Sequence, residues 1–179
     1  PECSAAPSPT IAVPGLVEAS GLAASRVHAG VYYAHNDSGD GPRFFAFRDD
    51  GTALGTYTIT NASAVDWEAM SSGPCADPRE SCLYFGDIGD NLRVRASYAV
   101  YRVAEPPMAV SGSFDLTAEV FAFRYPDGSH NAEALMVHPS TGEIFVLTKS
   151  ARSTLAYVFP VPLDPSGTAT LSQIGKVEV

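Results

Sequence analysis

The chain of 179 residues is short of positive charge, and of lysine above all. Its only lysines are Lys149 and Lys176, and Lys plus Arg number 11 against 20 Asp plus Glu, for a formal net charge of −9. A nucleic-acid-binding face needs clustered basic residues to neutralise phosphates, so nucleic acid is excluded as an expected partner. An anionic membrane surface is excluded on the same ground. Long apolar runs are also lacking: none approaches the ~20 residues that cross a bilayer, so no membrane span is expected. There is no convincing long helix. A Gly-x-Ser-x-Gly elbow, a Gly-rich phosphate loop and a Cys-x-x-Cys pair are all absent, which removes the usual marks of a serine hydrolase, a nucleotide site and a zinc knuckle.

Cysteine is scarce, at three residues. Cys75 and Cys82 flank a turn just before an apolar run and suit a disulfide that closes a short loop, worth about 2.5 kcal/mol on the chain-entropy view; two unlinked thiols are the other reading. Cys3 is then left over, either free or paired with a cysteine of another chain. The opening stretch Pro1–Pro9 reads as the end left after processing of a precursor, or as an arbitrary boundary. With so few lysines, the cysteine pattern points to export: a secreted, periplasmic or cell-surface protein.

What the sequence has in plenty is turns and short β-type runs. Hydrophobic residues make up 45% of it, enough for a core. The same order of events occurs three times, opening at Glu18-Ala19, Glu68-Ala69 and Glu133-Ala134. After each Glu-Ala comes a turn, then an apolar run ending in polar residues: Val31–Asp37, Leu83–Asp87 and Ile144–Lys149. A third run follows at Phe44–Phe47, Tyr98–Val103 and Ala156–Phe159, and a fourth closes each unit. Turn signals such as Asn36-Asp37-Ser38-Gly39 and Asp49-Asp50-Gly51 separate the runs. A repeat of about 40–50 residues holding four short strands is the pattern of a β-propeller blade. The expected fold is therefore all-β, with an extended tail over 1–16 and three four-stranded blades over 17–64, 65–130 and 131–179. Within the tail, Ile11-Ala12-Val13 is apolar enough to add an outer strand to a blade.

In such a fold the first strand of each blade lines a central channel. Glu18, Glu68 and Glu133 are then expected to gather near one end of it, close to Asn36, Asp37, Asp87, Asp90 and Asn91. Crowded carboxylates repel one another unless a cation offsets them, and Ca²⁺ accepts six to eight irregular oxygen ligands. The expected metal ligands are Glu18, Asn36, Glu68, Asp87 and Glu133, for Ca²⁺ or another divalent cation. The alternative is that these residues cap strands by bonding backbone amides. His35 and Asp37 are the candidates for taking a proton in catalysis, although a solvated or structurally bonded His35 is the stronger reading. His28, His130 and His138 read as surface residues. Lys149 reads as a charge partner of the carboxylates, and Trp67 as packing between blades.

Asn36-Asp37-Ser38-Gly39, Asp66-Trp67-Glu68, Gly86-Asp87-Ile88-Gly89-Asp90-Asn91, Tyr101–Pro106 and Asn131–Leu135 follow one another in that order. The series resembles exported bacterial propellers of uncharacterised function, which are similar to esterase-like phytase domains and gluconolactonase-type propellers. The resemblance implies a six-bladed ring with a divalent metal, often calcium, at the channel mouth. It implies that the three blades are half of that ring, completed by a second chain or by a copy of this one. The functions that follow are a calcium-binding propeller that hydrolyses a small ester, lactone or phosphoester, or a non-catalytic binding scaffold with a structural metal.

Overall fold

The structure, a computed structural model, describes residues 11–107 and 111–178. Cys3 and most of the opening tail lie outside the described residues. Fourteen strands and no helix are found among those described. The first unit is β1 (Ala19–Ala24), β2 (Val31–Asn36), β3 (Arg43–Arg48) and β4 (Ala53–Ile59), paired antiparallel in sequence order. Aromatic and β-branched residues such as Val31, Tyr33, Phe44, Phe47, Tyr57 and Ile59 favour the pleated strand, and short turns set the meander. Gly51, at φ 86° in the turn between β3 and β4, takes a left-handed backbone that a side chain would disfavour.

The second unit repeats the meander with β5 (Trp67–Pro74), β6 (Ser81–Asp87), β7 (Tyr98–Ala104) and β9 (Glu119–Arg124). Before returning for its fourth strand, the chain visits the first sheet, where β8 (Ser113–Leu116) runs parallel to β4. The third unit is β10 (Ala132–Val137), β11 (Ile144–Thr148), β12 (Ser153–Val158) and β14 (Ser172–Glu178), and here β13 (Thr168–Thr170) runs parallel to β9 of the second sheet. The first two sheets thus have five strands each and the third has four. Proline-rich leads, Glu105-Pro106-Pro107 and Pro160–Pro165, precede both straps; proline suits an extended chain that is leaving its sheet.

The three sheets lie side by side, with β1 next to β5 and β5 next to β10. Two layers of core fill the spaces between them. Phe44, Tyr57, Ile59, Trp67, Leu83 and Phe85 pack between the first and second sheets. Tyr84, Phe121, Phe123, Ile144, Val146 and Tyr157 pack between the second and third. The middle sheet is buried on both faces because alternate residues of β6 point opposite ways, Leu83 and Phe85 to one core, Cys82 and Tyr84 to the other. Residues 11–13 do not form a strand. Val13 instead packs on Ala34, Phe45 and Phe47 on the far face of the first sheet. Among the described residues, no helix is long and apolar enough to cross a membrane.

Cys75 and Cys82 form a disulfide with Cα atoms 5.1 Å apart, across the hairpin between β5 and β6. Cys82 is buried, whereas the loop itself is mostly exposed. Reduction, or a Cys75→Ala/Cys82→Ala variant, should lower stability in urea denaturation by about 2.5 kcal/mol through the released loop entropy. A loss below about 0.5 kcal/mol would instead credit the loop's own hydrogen bonds, such as Cys75 N–H to the Glu80 carbonyl at 3.0 Å.

Candidate metal centre

Each first strand carries a bulge near its start. Ala19 pairs with Asn36 and Gly21 with His35, leaving Ser20 unpaired. Trp67 pairs with Asp87 and Ala69 with Gly86, leaving Glu68. Ala132 pairs with Thr148 and Ala134 with Leu147, leaving Glu133. Backbone bonds agree with this register: the amides of Asp37, Ile88 and Lys149 donate to the carbonyls of Glu18, Asp66 and Asn131. Glu68 and Glu133 therefore occupy one structural position, as expected, but its counterpart in the first unit is Ser20. Glu18 corresponds to Asp66 and Asn131, and its side chain is exposed. The Glu-Ala pair of the first unit is displaced by two residues, which a comparison of dipeptides cannot detect. The bulges themselves kink the strand and turn the extra side chain out of the ladder.

Asp37, just past β2, Asp66, just before β5, and Glu68 converge. One ligand oxygen from each lies within 4.8 Å of the others. Glu68 is only 8% exposed. Burial, and then the nearby charges of Glu133, Asp37 and Asp66, push its carboxyl up from 4.5 to about 7, against a lowering hydrogen bond from Ser20. Ser20 Oγ donates to the Glu68 carbonyl at 3.1 Å and reaches its Oε2 at 3.4 Å, which ties the bulges of two sheets together. Asp66 is also raised, by burial first and by Asp37 next, while Arg95 and Ser38 pull it down. Gly89 backs this group. A Cβ there would collide with Asp66 Oδ2 and Glu68 Oε1, so the absent side chain leaves room for both carboxylates.

The other expected residues sit around this cluster in different roles. Glu133 accepts Lys149 Nζ at 2.9 Å and Asn131 Nδ2 at 3.2 Å. Lys149 is raised chiefly by that pairing. Asn36 spends its whole amide on structure: Oδ1 accepts from the amides of Val17 (2.9 Å) and Glu18 (3.0 Å), and Nδ2 donates to the Gly15 carbonyl and to Asp40. Asp87 does the same in the second unit, accepting the Asp66 amide at 3.0 Å and Arg95 Nη1 at 2.8 Å. Asp90 holds its loop through the amides of Val94 and Arg95 and the hydroxyl of Tyr98. Asn91 Oδ1 accepts from Asn131 Nδ2 at 3.2 Å.

His35 is fully buried, edge-on to Trp67 with ring centroids 5.4 Å apart. Its Nδ1 lies 2.8 Å from the Asn36 carbonyl, and burial lowers its pKa, so it is neutral at pH 7. His130 is not a free surface residue: its Nε2 lies 3.0 Å from Asp127 and 3.1 Å from the Tyr157 hydroxyl.

Of the three clustered carboxylates, only Glu68 belongs to the expected ligand set; Asp37 is expected as a proton acceptor, and Asp66 has no expected role. Asp66 lies just before β5, and the bulge at Glu68 breaks the strand period between them, so only the folded register brings the two together. The donor set of Asp37, Asp66 and Glu68 is all oxygen, anionic and backed by the Gly89 cradle. It fits a hard cation such as Ca²⁺, for which three carboxylates supply part of the six to eight ligands and water the remainder. Compared with known protein families, with curated proteins and with solved structures, the chain matches none.

Proposed function

We propose that this chain is part of an exported β-propeller that binds a calcium ion through Asp37, Asp66 and Glu68, with the ion joining the first and second sheets where their inner strands begin. The observation that carries this reading is the convergence of three carboxylates on a position where Glu68 is driven up to about 7. A protein that gathers unpaired negative charge in a partly buried place gains most when a cation offsets it. Three sheets placed side by side, each a four-stranded meander with its first strand innermost, support the propeller reading. The disulfide supports export. Binding is favoured over hydrolysis because His35 is fully buried, so of the two proton acceptors expected from the sequence a solvent-borne substrate would meet only Asp37.

Terbium luminescence tests the site directly. Trp67 is the sole tryptophan and stands between Asp66 and Glu68, so it should sensitise Tb³⁺ bound there. Calcium should quench the emission by competition, and Glu68→Gln should abolish it. No sensitised emission from the parent chain, with no calcium heat by calorimetry, would overturn the proposal.

A further inference from the structure

The third sheet is built to be covered on both faces but is covered on one. Leu135, Val146 and Tyr157 face the second sheet and are buried. The alternate residues form a second apolar face: Met136 pairs with Phe145, Phe145 with Val158, and Thr154 with Val177. Met136 is 49% exposed and Val177 is 60% exposed. The counterpart of Phe145 in the middle sheet is Tyr84, since the two stand at the same register from their bulges. Tyr84 is fully buried by the sheet that follows it, whereas Phe145 is half-buried.

The outer edge repeats the contrast. β4 receives the parallel strap β8 from the unit that follows, and β9 receives β13 from the unit that follows that. β14 holds the same outer position in the third sheet and has no neighbour on its free edge among the described residues. An unpaired edge beside an apolar face is a template for strand addition.

From this continuity we infer that the third sheet is a docking surface for a further four-stranded β unit, which packs on the Met136–Phe145–Val177 face and lays a parallel strap along β14. A second copy of this chain does not fit the role. Its first unit joins third and fourth strands through the short turn at 49–52 and carries no strap. Its free face is already partly covered by Val13 and Leu16. The docking is independent of the cation.

The edge can be tested by attaching a strap in cis. A flexible Gly/Ser linker of about 12 residues after position 179, followed by the sequence of residues 111–118, holds the strap at roughly millimolar effective concentration. Hydrogen exchange of the amides at 172–178 is the readout. The strap should slow alternate amides of β14 at least about tenfold relative to a scrambled strap, and a cross-link should report parallel polarity. Equal exchange with the two straps would overturn the inference. So would slow exchange in the parent chain that depends on protein concentration, which would make a second copy the occupant. Slow exchange that is lost when residues 1–10 are removed would make the chain's own tail the occupant, and would overturn it too.

Discussion

In chelator, the melting temperature of this chain should fall relative to that of Glu68→Gln as pH rises from about 5 to about 8, and calcium should remove the fall. Glu68 titrates near 7 in the folded chain against 4.5 when unfolded. Between those values the folded state keeps a proton that the unfolded state has lost, so stability is greatest below about 4.5 and declines as pH passes through 7. At about 1.4 kcal/mol per unit the ceiling is roughly 3 kcal/mol, and screening by solvent around the cluster reduces it to the order of 1–2 kcal/mol. Asp66 is shifted the same way and adds to the decline. Asp40, Asp90 and Asp127 are shifted downward, so their contributions are lost only in acid. His35, lowered by burial, opposes the decline as pH rises towards 6.5, so the cluster's part is read as the difference between the parent and Glu68→Gln, which share His35.

Calcium should reverse the sign: an ion held by the ionised carboxylates stabilises more as pH rises, reaching about 2.7 kcal/mol at one hundred times its Kd. Glu68→Gln separates the two effects. It removes repulsion, so at pH 8 in chelator the variant should be more stable than the parent by about 1–2 kcal/mol. It should also lose most of the response to calcium. Scanning calorimetry across pH, with and without calcium, provides the measurement. A constant difference between the parent and Glu68→Gln across pH in chelator, or a less stable Glu68→Gln at pH 8, would remove the physical basis for the cluster as a cation site.

Trp67→Ala should cost about 3–5 kcal/mol in urea denaturation, the range for truncating a buried large aromatic residue. Trp67 is 1% exposed. Its ring stacks on Phe85 at 5.1 Å and lies 5.9 Å from Tyr101, and its indole N–H donates to the Ser63 carbonyl at 2.9 Å. The residue fills the seam between the first two sheets, so the cavity would open where the sheets meet. Trp67→Phe keeps most of the apolar surface but leaves the Ser63 carbonyl without this donor, and should cost about 1–3 kcal/mol. Because Asp66 and Glu68 flank the ring, Trp67→Ala should also weaken calcium binding, whereas Trp67→Phe should largely spare it. A loss under about 1.5 kcal/mol for Trp67→Ala would show that the seam repacks without it.

The meanders, their turns and the Cys75–Cys82 bond were legible in the sequence because each depends on residues close together in the chain. Period-2 alternation marks a strand, Asp-Asp-Gly marks its turn, and two cysteines seven positions apart need only a hairpin to meet. Trp67 as packing between sheets, and Lys149 as a charge partner, were readable from residue type and place. The register of the bulges was not. The Glu-Ala pairs look equivalent along the chain, yet only the ladder hydrogen bonds reveal that Ser20, and not Glu18, shares the position of Glu68 and Glu133. The same ladder turned Asn36 and Asp87 towards backbone amides and brought Asp66 to the cluster. The straps were equally hidden: β8 and β13 are short, and their partners lie in another unit, so no local pattern announces them. Local hydrogen bonding and periodicity determined the strands; contacts between segments distant in sequence decided which carboxylates face one another and which edge of the third sheet stays open.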